Sequence, residues 1–169
     1  MLEGRRQELH KKIVIGTLLI FITLSTVACS GNNSQDATPI KATWVTAQIT
    51  GDTASIPASE VANNRLVHFK LATPGGDIAF MAYDLEEKTH VRSNICPPCR
   101  SMGFSLEGDT LVCDTCATTF ETMTGEGIEG ACVDFPKAPV SYQLVDGNIV
   151  MAGGDLIAAH QNTLSPGLP

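Results

Sequence analysis

The sequence predicts a small, mostly β, single domain of hairpins that carries two cysteine knuckles and follows an N-terminal segment of different character. Three observations predict it. Short runs rich in β-branched residues recur between residues 42 and 151, separated by turn residues of the Gly-Asp kind. Only one late stretch has a helical period. Four cysteines fall in two Cys-x-x-Cys pairs with 13 residues between the pairs.

The chain has 169 residues, enough for one domain with a modest core. Part of its 43% hydrophobic content belongs to the N-terminus rather than to the fold. Residues 1–12 carry Arg5, Arg6, Lys11 and Lys12 against Glu3 and Glu8, and a mostly apolar run of 16 residues, 13–28, follows. That run is short for a bilayer-spanning helix, which needs about 20 residues. A positive flank, an apolar middle and a small residue before a break form the layout of a secretory signal. Thr26-Val27-Ala28-Cys29-Ser30 resembles the bacterial lipoprotein signal, the lipobox, with Thr26 where Leu, Ile or Val is usual. The resemblance implies a signal peptide over 1–28 and lipidation of Cys29. It places the rest on a bacterial cell membrane, facing outside the cytoplasm. An uncleaved anchor helix is the rival reading, and it gives the same placement. Residues 30–41 are small and polar without a hydrophobic period, so 29–41 reads as a lipidated cysteine and flexible tether, and 42–169 as the folded domain.

Removing residues 1–28 leaves 7 of the 11 Lys+Arg and 16 of the 18 Asp+Glu, a net charge of −9. That balance argues against nucleic acid, whose phosphates need basic partners, and against adsorption to anionic lipid by charge alone.

The elements follow in order. Thr43 to Ile49 is β-branched and ends at Gly51-Asp52, so it reads as a strand. Leu66 to Leu71 alternates Leu66, His68 and Lys70 against Val67, Phe69 and Leu71, with the His68 face expected in solvent. Thr73 to Asp77 is a turn, and Ile78 to Tyr83 returns as the second arm of a hairpin. A second hairpin runs 104–106 and 110–112 about Glu107-Gly108-Asp109, and a third runs 140–145 and 149–151 about Asp146-Gly147-Asn148. Residues 155–161 form two helical turns with Asp155 as cap.

Cys96-Pro-Pro-Cys99 and Cys113-Asp-Thr-Cys116 are the chemistry-bearing motif. A Cys-x-x-Cys turn aims both sulfurs at one ion, and two such turns face to face supply four ligands. The 13-residue spacer is itself a hairpin that brings its ends together. The spacing is zinc-ribbon-like, and Cys₄ suits Zn²⁺, a single iron or an iron–sulfur cluster. Cys132, in a glycine-rich loop, is a further candidate ligand or a buried thiol. The competing reading for an exported protein is disulfide formation. Cys96–Cys99 and Cys113–Cys116 would then each close a small ring that constrains little of the unfolded chain. A thioredoxin-like redox pair at Cys96/Cys99 belongs with it.

Residues 94–156 resemble the FtrD-like domain, a bacterial membrane-associated family described as iron–sulfur-containing and linked to ferrous iron transport. The shared residues are the two cysteine pairs, Gly103-Phe104, Glu107-Gly108-Asp109, Leu111-Val112, Phe120, Gly125-Glu126-Gly127, Gly130-Ala131-Cys132 and Pro136. Upstream, 55–61 and 67–69 look like that domain's first strands. A more distant similarity is to the second half of Rieske domains, carried by Phe120, the glycine-rich loop, Ala138-Pro139-Val140, Tyr142 and 146–150. Rieske centres take one Cys and one His from each of two loops, and here cysteine stands at both histidine places. A Rieske-like frame therefore implies a Cys₄ set and a lower potential.

Among other residues, His90 is the one accessory ligand candidate, and Trp44, Phe69, Phe80, Phe104, Phe120 and Tyr142 read as core or cluster cover. No Ser/His/Asp set or phosphate-cradling loop appears, so hydrolase and transferase chemistry have no support. The sequence points to an extracytoplasmic, membrane-anchored iron–sulfur or iron-binding protein, a single-electron carrier or accessory protein rather than a catalyst. Its ligands would be Cys96, Cys99, Cys113 and Cys116, and its setting iron uptake or respiration with membrane redox or iron-transport partners. A zinc-stapled binding module and a thiol–disulfide oxidoreductase are the alternatives.

Overall fold

The β-branched runs pair into three small sheets, and the central one is covered on both faces. A computed structural model describes residues 38–167. The expected signal peptide (1–28), Cys29 and most of the tether lie outside the described residues.

In chain order the strands are β1 (Ile40–Lys41), β2 (Thr43–Trp44), β3 (Gln48–Thr50) and β4 (Thr53–Pro57), then helix α1 (Ala58–Asn64). They continue with β5 (Leu66–Thr73), β6 (Gly76–Leu85), β7 (Lys88–Ser93), β8 (Phe104–Glu107) and β9 (Thr110–Cys113). β10 (Thr119–Glu121), β11 (Gly127–Glu129), β12 (Gln143–Val145), β13 (Asn148–Ala152) and helix α2 (Gly153–Leu164) complete the fold. The central sheet has the order β2-β5-β6-β7; the others are β1-β8-β9-β10-β11 and β12-β13-β4-β3.

Directly opposed residues of an antiparallel pair share a face, and this fixes what the central sheet touches. Val67↔Ala82 and Phe69↔Phe80 point into one core with Ile56, Ile149, Met151 and Leu156. Leu66↔Tyr83 and His68↔Met81 point the other way, toward Phe104, Leu106, Leu111, Phe120 and three of the cysteines. The alternation read from the sequence is real, but over Leu66–Phe69 both of its faces are buried, and only from Lys70 does the His68 face reach solvent. His68, expected in solvent, is buried under the five-stranded lobe. Its ring stands edge-on to Trp44 at 5.0 Å, and burial pushes its pKa down to about 4.

Other expectations need correction. The strand expected over 43–49 is split into β2 and β3, which join different sheets. Trp44 is half-exposed rather than core. The end of the expected tether is ordered, because Ile40 pairs with Leu106 on β8. The first arm of the third hairpin begins at Gln143 rather than Val140. The late helix is longer than two turns; it starts at Gly153, with Asp155 in the first turn and Ala152 at the cap position. It buries Leu156, Ala159 and Thr163 on one face.

Phe69 lies at the centre of the core remote from the cysteines, fully buried and stacked on Phe80 at 5.5 Å. Phe69→Ala should cost about 3–5 kcal/mol by urea unfolding, and a loss below 1 kcal/mol would contradict this packing.

Candidate metal centre

The two Cys-x-x-Cys segments adopt one backbone frame twice. In the first, the Cys96 N–H donates to Ser101 O at 2.8 Å; in the second, the Cys113 N–H donates to Thr118 O at 2.9 Å. Each closes over a residue in the left-handed region four positions after its first cysteine, Arg100 at φ 58° and Ala117 at φ 56°. The backbone amide two residues beyond the second cysteine points at its sulfur in both, Ser101 toward Cys99 and Thr118 toward Cys116. The Asp114 N–H donates to Gly103 O at 3.0 Å and ties the knuckles together. The Asp114 side chain accepts from Lys41 at 2.8 Å and from Ser105. Burial alone would raise that carboxyl, but these two donors outweigh it and hold it below its ordinary value.

The sulfurs converge across the loops. Cys96 Sγ is 3.9 Å from Cys116 Sγ, Cys99 Sγ is 3.7 Å from Cys113 Sγ, and Cys116 Sγ is 3.7 Å from Cys132 Sγ. All five are free thiols. These spacings are far beyond an S–S bond of about 2.05 Å. They match sulfurs that share one tetrahedral ion, which at about 2.3 Å per bond sit roughly 3.8 Å apart. Sulfur-only donors in a mostly buried site are the donor set that cysteine-ligated iron–sulfur centres use.

The four cysteines read from the sequence gather together with Cys132, the further candidate. Cys96, Cys99, Cys116 and Cys132 form a group with all sulfurs within 4.8 Å of one another, and Cys113 joins through Cys99. Cys132 reaches the site because its loop passes close to Thr118. Gly130 has φ 117°, and a Cβ there would lie 2.6 Å from Thr118 Oγ1. Thr118 in turn accepts the Cys132 N–H at 3.2 Å and lies 3.2 Å from Cys116 Sγ. His90 is not in the group; its ring stacks on Tyr83 at 5.5 Å. The segment after Cys99 turns into β8 without a helix, so a thioredoxin-like frame is absent there.

Proton sharing marks the crowding. Cys113 is held well below the usual thiol range, first by its hydrogen bond with Cys96 and then, against burial, by the amides of Cys116 and Thr115. Cys96 is raised correspondingly. Burial pushes Cys99 up to about 11.

Two basic residues that sequence reasoning passed over are buried in the lobe, Lys137 beside the thiols and Arg92 behind it, holding the Lys137 backbone. Lys137 is completely buried, and its Nζ donates to Ile95 O at 2.8 Å, one residue before Cys96. Its Nζ lies 4.4 Å from the centre of the Phe120 ring and 5.4 Å from that of Phe104. Burial pushes Lys137 down to about 8 while the thiols of Cys96, Cys113, Cys132 and Cys99 act to keep its proton. Arg92, also buried, donates to Tyr83 Oη at 2.9 Å, to Lys137 O at 2.9 Å and to Met123 O. Nothing in residues 137 or 92 alone signals this; an isolated Lys or Arg between apolar residues reads as surface.

Gly130→Ala should push on Thr118, displace the Cys116 knuckle it braces, and at least halve the bound metal per chain, measured by elemental analysis. Full metal content would show that the close approach to Thr118 is dispensable.

Residues 61–162 match the family described as "Membrane iron-sulfur containing protein FtrD-like". No curated protein matches the sequence. A chain of the solved complex of reduced oxygenase and oxidised ferredoxin in carbazole 1,9a-dioxygenase is 16% identical, with a TM-score of 0.50 over 62% of this chain and 95% of that one. The Sphingomonas yanoikuyae B1 ferredoxin is 20% identical, with a TM-score of 0.39 over 44% of this chain and 74% of that one. The fold is the expected mostly β one, with the cysteine knuckles brought together, and the cofactor class is iron–sulfur. With the match spanning both knuckles and Cys132, the chain belongs to the FtrD-like family of iron–sulfur-containing membrane proteins.

Proposed function

We propose that this chain is an extracytoplasmic, membrane-anchored single-electron carrier serving iron uptake or a respiratory chain. It would be held by lipid on Cys29 and pass electrons to a membrane redox or iron-transport partner. The observation that carries the electron-transfer reading is the asymmetry of the sulfur site. Cys96 and Cys113 are buried against the fold, whereas Cys99 and Cys116 are partly exposed. A centre held this way exchanges electrons at its outer sulfurs while its inner sulfurs stay dry. Membrane association rests on the family description and on the N-terminal signal; among the described residues no helix is long and apolar enough to cross a membrane.

Cys96, Cys99, Cys113 and Cys116 are the proposed ligands, because the two knuckles share one backbone frame and amides point at three of these sulfurs. Cys132 is the fifth thiol, beside Cys116 and able to replace a ligand.

Protein purified without oxygen should contain iron and acid-labile sulfide in equal amounts and show visible charge-transfer bands. Zinc alone would favour the stapled module, and two disulfides without metal the thiol exchanger. Cys113→Ser should abolish the spectrum while Cys132→Ser keeps it; the reverse would move the ligand set to Cys96, Cys99, Cys116 and Cys132. Cys29→Ala in the full chain should shift the protein from the membrane to the soluble fraction, and continued sedimentation with membranes would sink the lipid anchor.

A further inference from the structure

A buried ammonium needs an anion or it loses its proton, because removing a charge from water without a partner costs several kcal/mol. Lys137 and Arg92 are both buried, and among the described residues neither pairs with a carboxylate. Every oxygen they meet is a neutral carbonyl or hydroxyl. Lys137 Nζ holds the carbonyl of Ile95, the residue before Cys96, at 2.8 Å. The groups beside it able to carry negative charge are therefore the thiols, those of Cys96, Cys113, Cys132 and Cys99 acting to keep its proton.

We propose that Lys137 is the built-in counter-charge of the sulfur centre and a determinant of its reduction potential, with Arg92 as the residue that positions it. This rests on the iron–sulfur reading above. The ammonium is fixed from several sides: by Ile95 O at 2.8 Å, by the faces of Phe120 and Phe104, and by the backbone of its own residue. The Lys137 N–H donates to Gly125 O at 2.8 Å, and Lys137 O accepts from Arg92 at 2.9 Å. Gly125 has φ 83°, and a Cβ there would overlap both Lys137 O and the Arg92 guanidinium, so the clamp depends on the bare backbone. A residue needed only to fill the space between Phe104 and Phe120 would be apolar. A cation has been placed there, and its backbone is clamped.

The consequence is electrostatic. When a one-electron donor reduces the centre, one electron enters, no covalent bond of the protein is made or broken, and the centre gains one negative charge. A fixed cation in an interior of low effective dielectric stabilises that added charge more than the oxidised state. Lys137 therefore makes reduction easier than the thiolates alone would allow.

The test uses the full chain purified without oxygen, as parent, K137M, K137R and the surface control K70M. It reads iron and sulfide content and the midpoint potential in a dithionite titration followed by visible absorbance. K137M should disfavour reduction at least tenfold, about 59 mV for one electron, whereas K137R stays nearer the parent and K70M moves little. K137M with full iron and an unchanged potential overturns the proposal, as does a K70M shift equal to that of K137M. If K137M assembles no centre, K137R decides: retained iron supports the counter-charge, and loss in both variants shows a need for shape rather than charge. A parent protein without iron and sulfide fails the iron–sulfur reading itself, before any variant is compared.

Discussion

Five sulfurs gathered within about 4 Å of their neighbours are the constraint on which the cysteine lobe depends. Two thiolates at the 3.7–3.9 Å separations seen here repel by about 4 kcal/mol each pair at an effective dielectric of 20. In the bare chain the protons are therefore shared, with Cys113 depressed at the expense of Cys96. Two things relieve the repulsion: positive charge at the centre, and dipoles and cations aimed at it. The knuckle amides, Lys137 and the glycine approaches at residues 125 and 130 follow from that need.

The central sheet lets a domain of this size meet the demand. Its lower face closes an ordinary apolar core, with Phe69, Phe80, Ile56 and Leu156. Its upper face roofs the cysteine lobe and carries polar groups that a normal core would reject, His68, His90 and Arg92. Arg92 reaches from β7 into the lobe, so the charge arrangement is anchored in the sheet rather than in the loops that hold sulfur. Loops braced in this way keep ligand geometry fixed while the metal's charge changes.

The sequence made some of this legible and hid the rest for identifiable reasons. The β5–β6 hairpin, the β8–β9 spacer and the cysteine pairs were readable because turn residues and i, i+3 spacing are local signals. Strand β7 was not, because Lys88–Ser93 has one apolar residue, Val91, and its buried polar side chains look like a loop. Helix α1 was missed because seven residues with Val61 alone buried show no period. His68 was misplaced because period-two alternation reports that two faces differ, not that one is wet. Cys132 was recognised as a candidate but not placed, since its approach depends on Gly130 meeting Thr118, a contact across 12 residues of chain.

The charges inside and outside the lobe have opposite signs, and they do not weigh equally. The folded part carries a net −9 when residues 1–28 are removed, spread over surface carboxylates that solvent and salt screen. Lys137 is one charge, but it has no solvent around it. At a given distance, an interaction at an effective dielectric of 20 is about four times that in bulk water. A single interior cation can thus offset several exterior carboxylates. Surface acidity is then free to serve association with a partner without dragging the potential down with it. Cys99 and Cys116 are partly exposed, whereas Lys137 is buried against the carbonyl of Ile95, next to Cys96, where solvent cannot screen it.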